Sequence, residues 1–270
     1  MGTKLRIIRQ FGHTMREAVE TYRHRKSLPY LVNHHRPLTL LPPRVALPLL
    51  CGPVKGKLRK PAELTILTIH NYAARPILER SLHYAGISDY VVLSADHEGP
   101  WYNSIKLKRL HSYLQADGCQ TEYLLFLDAE DSVLCGAPGR AIDLMHEQDC
   151  ELLMSDTDSQ AGYECMPQVK QQADRIAAQR GAQSRYPCTG VFIGRTQFIR
   201  ELVAAAMAYV TDHDLTREQY RYHRRAGDLC KQLPEFPRGI GCDQIILRYL
   251  QPRFHPRFKL DARGELAYRR

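Results

Sequence analysis

The eight cysteines include no Cys-x-x-Cys pair, so zinc-site spacing is absent, and Cys51, Cys119, Cys135, Cys150, Cys165, Cys188, Cys230 and Cys242 are too scattered for a small disulfide framework. No stretch approaches the ~18 uninterrupted apolar residues that a membrane span needs. The start, Met1-Gly2-Thr3-Lys4-Leu5-Arg6, lacks the apolar core of a secretory leader, and Arg6 stands where a myristoylation signal has Ser or Thr. Internal repeats and low-complexity tracts are missing. Acids are nearly absent from the first 60 residues: Glu17 and Glu20 stand against thirteen Lys and Arg, a net of +11, while the remaining 210 residues carry a net of −2. The basicity therefore belongs to the N-terminal part. It removes the case for nucleic-acid binding that the overall charge of +9 suggests. Free thiols in a reducing cytosol are the simplest reading, so a cytoplasmic location is expected.

Two regions follow: a basic, helical and proline-rich extension over 1–62 and a body over 63–270. In the extension Ile7, Ile8, Phe11, Met15, Val19 and Tyr22 recur at helical spacing, with Arg6, Arg9, Arg16 and Arg23 on other faces. Such a helix packs on its own domain, meets a protein partner, or lies peripherally on an anionic membrane surface. Seven prolines between Pro29 and Pro61 forbid a helix there and predict an extended connector packed along the body.

The body alternates. Strands are predicted at 64–69, 90–93, 123–127, 151–155, 191–193 and 258–260, and helices at 73–84, 104–115, 139–148, 168–180 and 196–209, with a last one opened by residues 239–244 and running to 250. Alternation of this kind implies an α/β fold with a parallel sheet between helices. The segment Arg217 to Arg225 reads as a basic, Tyr-rich patch. The organising stretch is Tyr123-Leu124-Leu125-Phe126-Leu127-Asp128-Ala129-Glu130-Asp131, a buried strand ending in three acids. In open α/β sheets that end faces the ligand. Acids held this close call for a cation, and a bound divalent ion in turn grips phosphates. The plainer alternative is an acidic, solvated turn.

The order of these pieces resembles the glycosyltransferase domain of the collagen lysyl hydroxylases and related procollagen glycosyltransferases, over about 63–268. Four features carry it: the strand Leu64 to Ile69; Trp101 followed by Lys106; Leu125-Phe126-Leu127-Asp128-Ala129-Glu130-Asp131 as a strand with D-x-x-D; and Thr189-Gly190-Val191-Phe192-Ile193-Gly194 with Asp243-Gln244 and a closing Leu260-Asp261. The resemblance implies a GT-A type, Rossmann-like mixed sheet flanked by helices, a UDP-sugar donor, and Mn2+ or Mg2+. It implies Asp128, Asp131 and Asp261 at the metal. The nucleotide would fall to Thr68, Ile69, His70, Trp101, Lys106, Asp128, Ala129, Glu130 and Gly190, with Asp156, Asp158 and Asp243 at the reacting sugar or the acceptor. The acceptor is a hydroxyl of unidentified carrier: protein, glycan or lipid-linked. Ala262 departs from the pattern, standing where the family has a metal-completing His. A non-catalytic binding module and a two-metal nucleotidyltransferase remain as alternatives.

Overall fold

The computed structural model describes residues 32–34, 47–48, 51, 55–95, 103–130, 132–160, 162–163, 166–179, 185–210 and 242–269. Trp101, Asp131, the expected basic helix near 4–25 and the Tyr-rich patch at 217–225 lie outside the described residues. The strands are β1 (Val32–His34), β2 (Leu64–His70), β3 (Val91–Ser94), β4 (Tyr123–Leu127), β5 (Ser132–Leu134), β6 (Leu152–Thr157), β7 (Tyr186–Arg195), β8 (Phe258–Leu260) and β9 (Ala267–Arg269). The helices are α1 (Ile77–Ala85), α2 (Ile105–Gln115), α3 (Gly139–Glu147), α4 (Pro167–Gln179), α5 (Thr196–Met207) and α6 (Asp243–Phe254).

Six strands form one mixed sheet in the order β3-β2-β4-β7-β6-β8. All pairs are parallel except those of β7, which runs antiparallel to both β4 and β6. The mixed α/β sheet flanked by helices that the resemblance implied is present, and the parallel sheet read from alternation alone is corrected at β7. β7 enters the sheet from the opposite end, and at Tyr186–Arg195 it is far longer than the three residues expected.

Period-two alternation sorts each strand between two faces. Leu67 and Ile69 of β2, Leu124 and Phe126 of β4, and Phe192 of β7 pack with α2, α5 and α6. Leu64, Ile66, Leu125, Leu127, Val191 and Ile193 pack with α1 and α3 on the other face. Each fully buried Leu or Ile contributes about 1.5–3 kcal/mol of transfer free energy, so two such layers hold the sheet. Gly194 permits the contact with α5, since a Cβ there would come within 3.0 Å of both the Glu151 carbonyl and Ile199.

Helix α1 starts at Ile77, later than the predicted Ala73, because Pro76 drives Arg75 out of the helical region. It stops at Gly86, whose φ of 94° is the left-handed C-cap geometry that favours glycine. A second sheet has the order β5-β1-β9. Its central strand comes from the extension, so at residues 32–34 the extended backbone expected there is paired into the body. Among the described residues no helix is long and apolar enough to cross a membrane.

Candidate functional site

Helix α1 connects β2 to β3 across one face of the sheet, and α2 connects β3 to β4 across the other. β2 and β4 run parallel, but the order in which strands are added reverses between them, and the crevice outside the carboxyl ends of strands at such a point is where α/β sheets bind ligands. His70 and Asp128 stand at those two ends. Because β7 is antiparallel, its opening residues, including Thr189 and Gly190, come to the same end. The Asp128 amide donates to the Gly190 carbonyl at 2.8 Å and thereby fixes the acid against that strand.

Lys106, in the first turn of α2, donates to both carboxylate oxygens of Asp128 at 2.9 Å. The lysine side chain is 12% exposed and the aspartate 25%, so the pair is part-buried yet open to solvent from the acid's side. Asp243, in the first turn of α6, is buried and belongs to the same group. Burial pushes its carboxyl above the usual range; the Lys106 ammonium opposes that shift, Asp128 adds to it, and hydrogen bonds from the Gln244 amide and Thr189 hydroxyl oppose it. The arrangement sets a buried carboxyl, harder to ionise than usual, beside the lysine-paired Asp128.

On the β2 side, the Tyr72 amide donates to His70 Nδ1 at 3.1 Å, which leaves His70 Nε2 as the donor to Glu79 at 3.1 Å. Glu79 also accepts from the Tyr90 hydroxyl at 2.7 Å. The Tyr72 ring stacks on His70 with centroids 5.5 Å apart, and its hydroxyl donates to Glu130 at 3.1 Å. Burial, with the charge and hydrogen bond of Glu130, pushes the Tyr72 phenol up to about 12. Tyr72 is nevertheless 47% exposed, a fixed aromatic surface at the crevice mouth. Thr68 is buried, and its hydroxyl has no hydrogen-bond partner. The Ile69 side chain belongs to the apolar core, so only its backbone is available to a ligand. Ala129 is likewise buried, and its carbonyl accepts from the Leu78 amide at 3.3 Å.

A second group lies along β6. Asp156, 5% exposed, accepts two hydrogen bonds from Arg185, Nε at 2.8 Å and Nη2 at 2.9 Å. That fork raises the Arg185 pKa, and the charges of Asp158 and Asp261 add to the effect. Asp158 is exposed, one residue past the end of β6. Asp261 is buried, and its oxygens accept three backbone amides: Glu265 at 3.0 Å on one, Leu266 at 2.8 Å and Ala267 at 3.1 Å on the other. A carboxylate offers about four acceptor positions, so Asp261 keeps only one for anything else. Burial, despite those three amides, lifts its pKa to about 6.

The structure therefore brings Lys106, Asp128, Glu130 and Asp243 into one electrostatic group and holds Asp156, Asp158 and Asp261 in another. Tyr72, Glu79 and Arg185 were not singled out from sequence, and Thr189 was named only as part of a motif, without a role. Tyr72, two residues past the first strand, carried the one available hint: an aromatic at a strand tip. Among the described residues no three His, Cys, Asp or Glu side chains cluster as a metal site, and Asp131 lies outside them. No family model matches this chain, and no curated protein matches it.

Proposed function

We propose that the chain is a metal-dependent glycosyltransferase of the GT-A type that moves a hexose from a UDP-sugar to a hydroxyl acceptor. The observation that carries this reading is Asp128 at the tip of a central strand, in the crevice beside the point where strand order reverses, with the Lys106 ammonium on both of its oxygens. The donor chemistry fits a divalent ion: Asp128 offers hard oxygen atoms, is accessible, and sits where the fold already tolerates positive charge. Asp128, with Asp131 from the D-x-x-D pattern, would hold Mn2+ or Mg2+. The ion's chemistry is Lewis-acid neutralisation of a leaving diphosphate.

The chain's own residues supply the rest. Lys106 reaches the same place as Asp128 and binds phosphate oxygens as a point charge once it gives up the carboxylate. Tyr72, braced by His70 and Glu130, offers a flat face to the base. Gly190 allows close approach of the backbone to the donor sugar. Asp243, whose carboxyl burial pushes above the usual range, is placed to hydrogen-bond a sugar hydroxyl. Asp156 is committed to Arg185, which makes it an anchor for that guanidinium and leaves exposed Asp158 as the group free to meet an acceptor. The strand order, with one antiparallel strand next to the acid-tipped strand, supports the GT-A assignment.

A second reading, a non-catalytic module that keeps the fold to bind a partner, draws on Ala262 and on the closed Lys106–Asp128 pair. Thermal denaturation with UDP and UDP-hexoses, with and without Mn2+, separates the two. The transferase reading expects metal-linked stabilisation of about 2.7 kcal/mol at a hundredfold excess over Kd, and loss of its metal-linked part in Asp128→Asn. No metal-linked affinity for any UDP compound in the wild-type chain overturns it.

A further inference from the structure

The second sheet joins three short segments that lie far apart in sequence. Its middle strand β1 pairs antiparallel with β5, Asn33 opposite Val133, and parallel with β9, Asn33 opposite Tyr268. β5 and β9 do not pair with each other, so their backbones stand two strand spacings apart, about 9.6 Å. β5 begins four residues after Asp128, and a link that short cannot move independently of the strand it enters. β9 begins at Ala267, whose amide is held by Asp261. β1 is thus, among the described residues, the backbone bridge between the segment that leaves Asp128 and the turn organised by Asp261.

We propose that residues 32–34 are a positioning strand: docking of this piece of the N-terminal extension sets the conformation of the loop that follows Asp128, at Ala129 and Glu130, so β1 docking and ligand binding at that loop are coupled. The other flank of β5 is already tied to α1. The Leu134 amide donates to the Ser81 hydroxyl at 3.1 Å, and the Leu78 amide to the Ala129 carbonyl at 3.3 Å. Since neighbouring residues of a strand point their amides to opposite sides, Val133 is the residue of β5 that bonds Asn33. A three-residue strand is weak alone, so its docking is reversible and responds to whatever stabilises the loop. Thermodynamic reciprocity follows: a ligand that orders the loop also holds β1 in place. The coupling to nucleotide rests on the glycosyltransferase reading; the docking itself does not.

The test uses the full chain and amide hydrogen exchange read by mass spectrometry. Asn33→Pro removes the central donor of β1. It should speed exchange over 128–135 by about tenfold or more while leaving 64–70 and 186–195 unchanged, because only the small sheet opens. Asn33→Gln keeps the amide and should match the wild type. Unchanged exchange over 128–135 in Asn33→Pro overturns the proposal. Should that variant unfold throughout, Asn33→Gly weakens the strand more gently, and equal acceleration in both regions then overturns it. In parallel, UDP affinity with Mn2+ should fall at least about fivefold in Asn33→Pro, within the usual range of coupling between sites. Equal affinity in the two proteins refutes the coupling. UDP binding to neither protein refutes the transferase reading, and the exchange contrast then decides the docking on its own.

Discussion

Replacing Lys106 with methionine keeps the apolar stem and removes the ammonium that donates to both Asp128 oxygens at 2.9 Å. Hydrogen bonds to charged groups contribute about 1.5–3 kcal/mol when shielded. Asp128 is 25% exposed, so water compensates part of the loss, and the expected destabilisation is about 1–2 kcal/mol. For a folded body of this size that lowers Tm by roughly 2–6 °C. The same substitution withdraws the charge that opposes the upward shift of Asp243, so that carboxyl becomes harder still to ionise. Pairing it with Asp128→Asn leaves no orphaned charge. The double variant should recover most of the loss, with a coupling of about 1–2 kcal/mol in a double-mutant cycle from urea midpoints. The functional reading adds a further expectation. With its ammonium gone, Asp128 has only water to displace, so Mn2+ alone should stabilise Lys106→Met more than it stabilises the wild type. Additive single substitutions would refute the ion-pair account, and a Tm indifferent to Mn2+ in Lys106→Met would remove Asp128 as a metal ligand.

Two further expectations concern the β6 group. Burial lifts Asp261 from 3.8 to about 6, so between those values the folded chain holds a proton that the unfolded chain has lost. The stability this group supplies is complete below pH 3.8 and disappears as pH rises through 6, a change of about 3 kcal/mol. Urea midpoints between pH 4 and 7 should slope downward from this cause and flatten in Asp261→Asn; an unaltered slope counts against the burial argument. Arg185→Ala strands the buried Asp156 carboxylate. Breaking a fully buried pair costs about 3–5 kcal/mol, and because the arginine side chain is 35% exposed, screening reduces the expected loss to about 1–3 kcal/mol. Adding Asp156→Asn should restore most of it, as read from the same denaturation curves.

Much of the sheet was legible because burial wrote it in residues of one kind. Tyr123 to Leu127 is five buried apolar side chains followed by an acid, and the strand ends where that pattern stops. β7 was harder. Pro187, Gly190 and Gly194 read as strand breakers, and only the surrounding sheet explains them. Pro187 pairs with Asp156 beside an irregularity in the β6 ladder, and Gly194 makes room for α5. The strands β1, β5 and β9, three residues each, are too short for any period to register, and the equally short β8 was marked by the closing Leu260-Asp261 of the resemblance. In the site, Asp128, Lys106 and Asp243 could be picked out from the resemblance. Arg185 and Tyr72 could not, since their meaning comes from partners 29 and 58 positions away.

The reversed course of β7 gives the crevice walls of different kinds. On the β2 and β4 sides the ligand-facing residues lie past the end of a strand. On the β7 side they open one, so the stretch arriving at Tyr186 can lengthen or shorten and carry new side chains to the rim while the ladders to β4 and β6 stay in register. Asp128 has no comparable latitude, clamped by its amide to Gly190 and by its carboxylate to Lys106. Remodelling of the rim is therefore best begun ahead of Arg185, with its fork to Asp156 and the strand tips left alone.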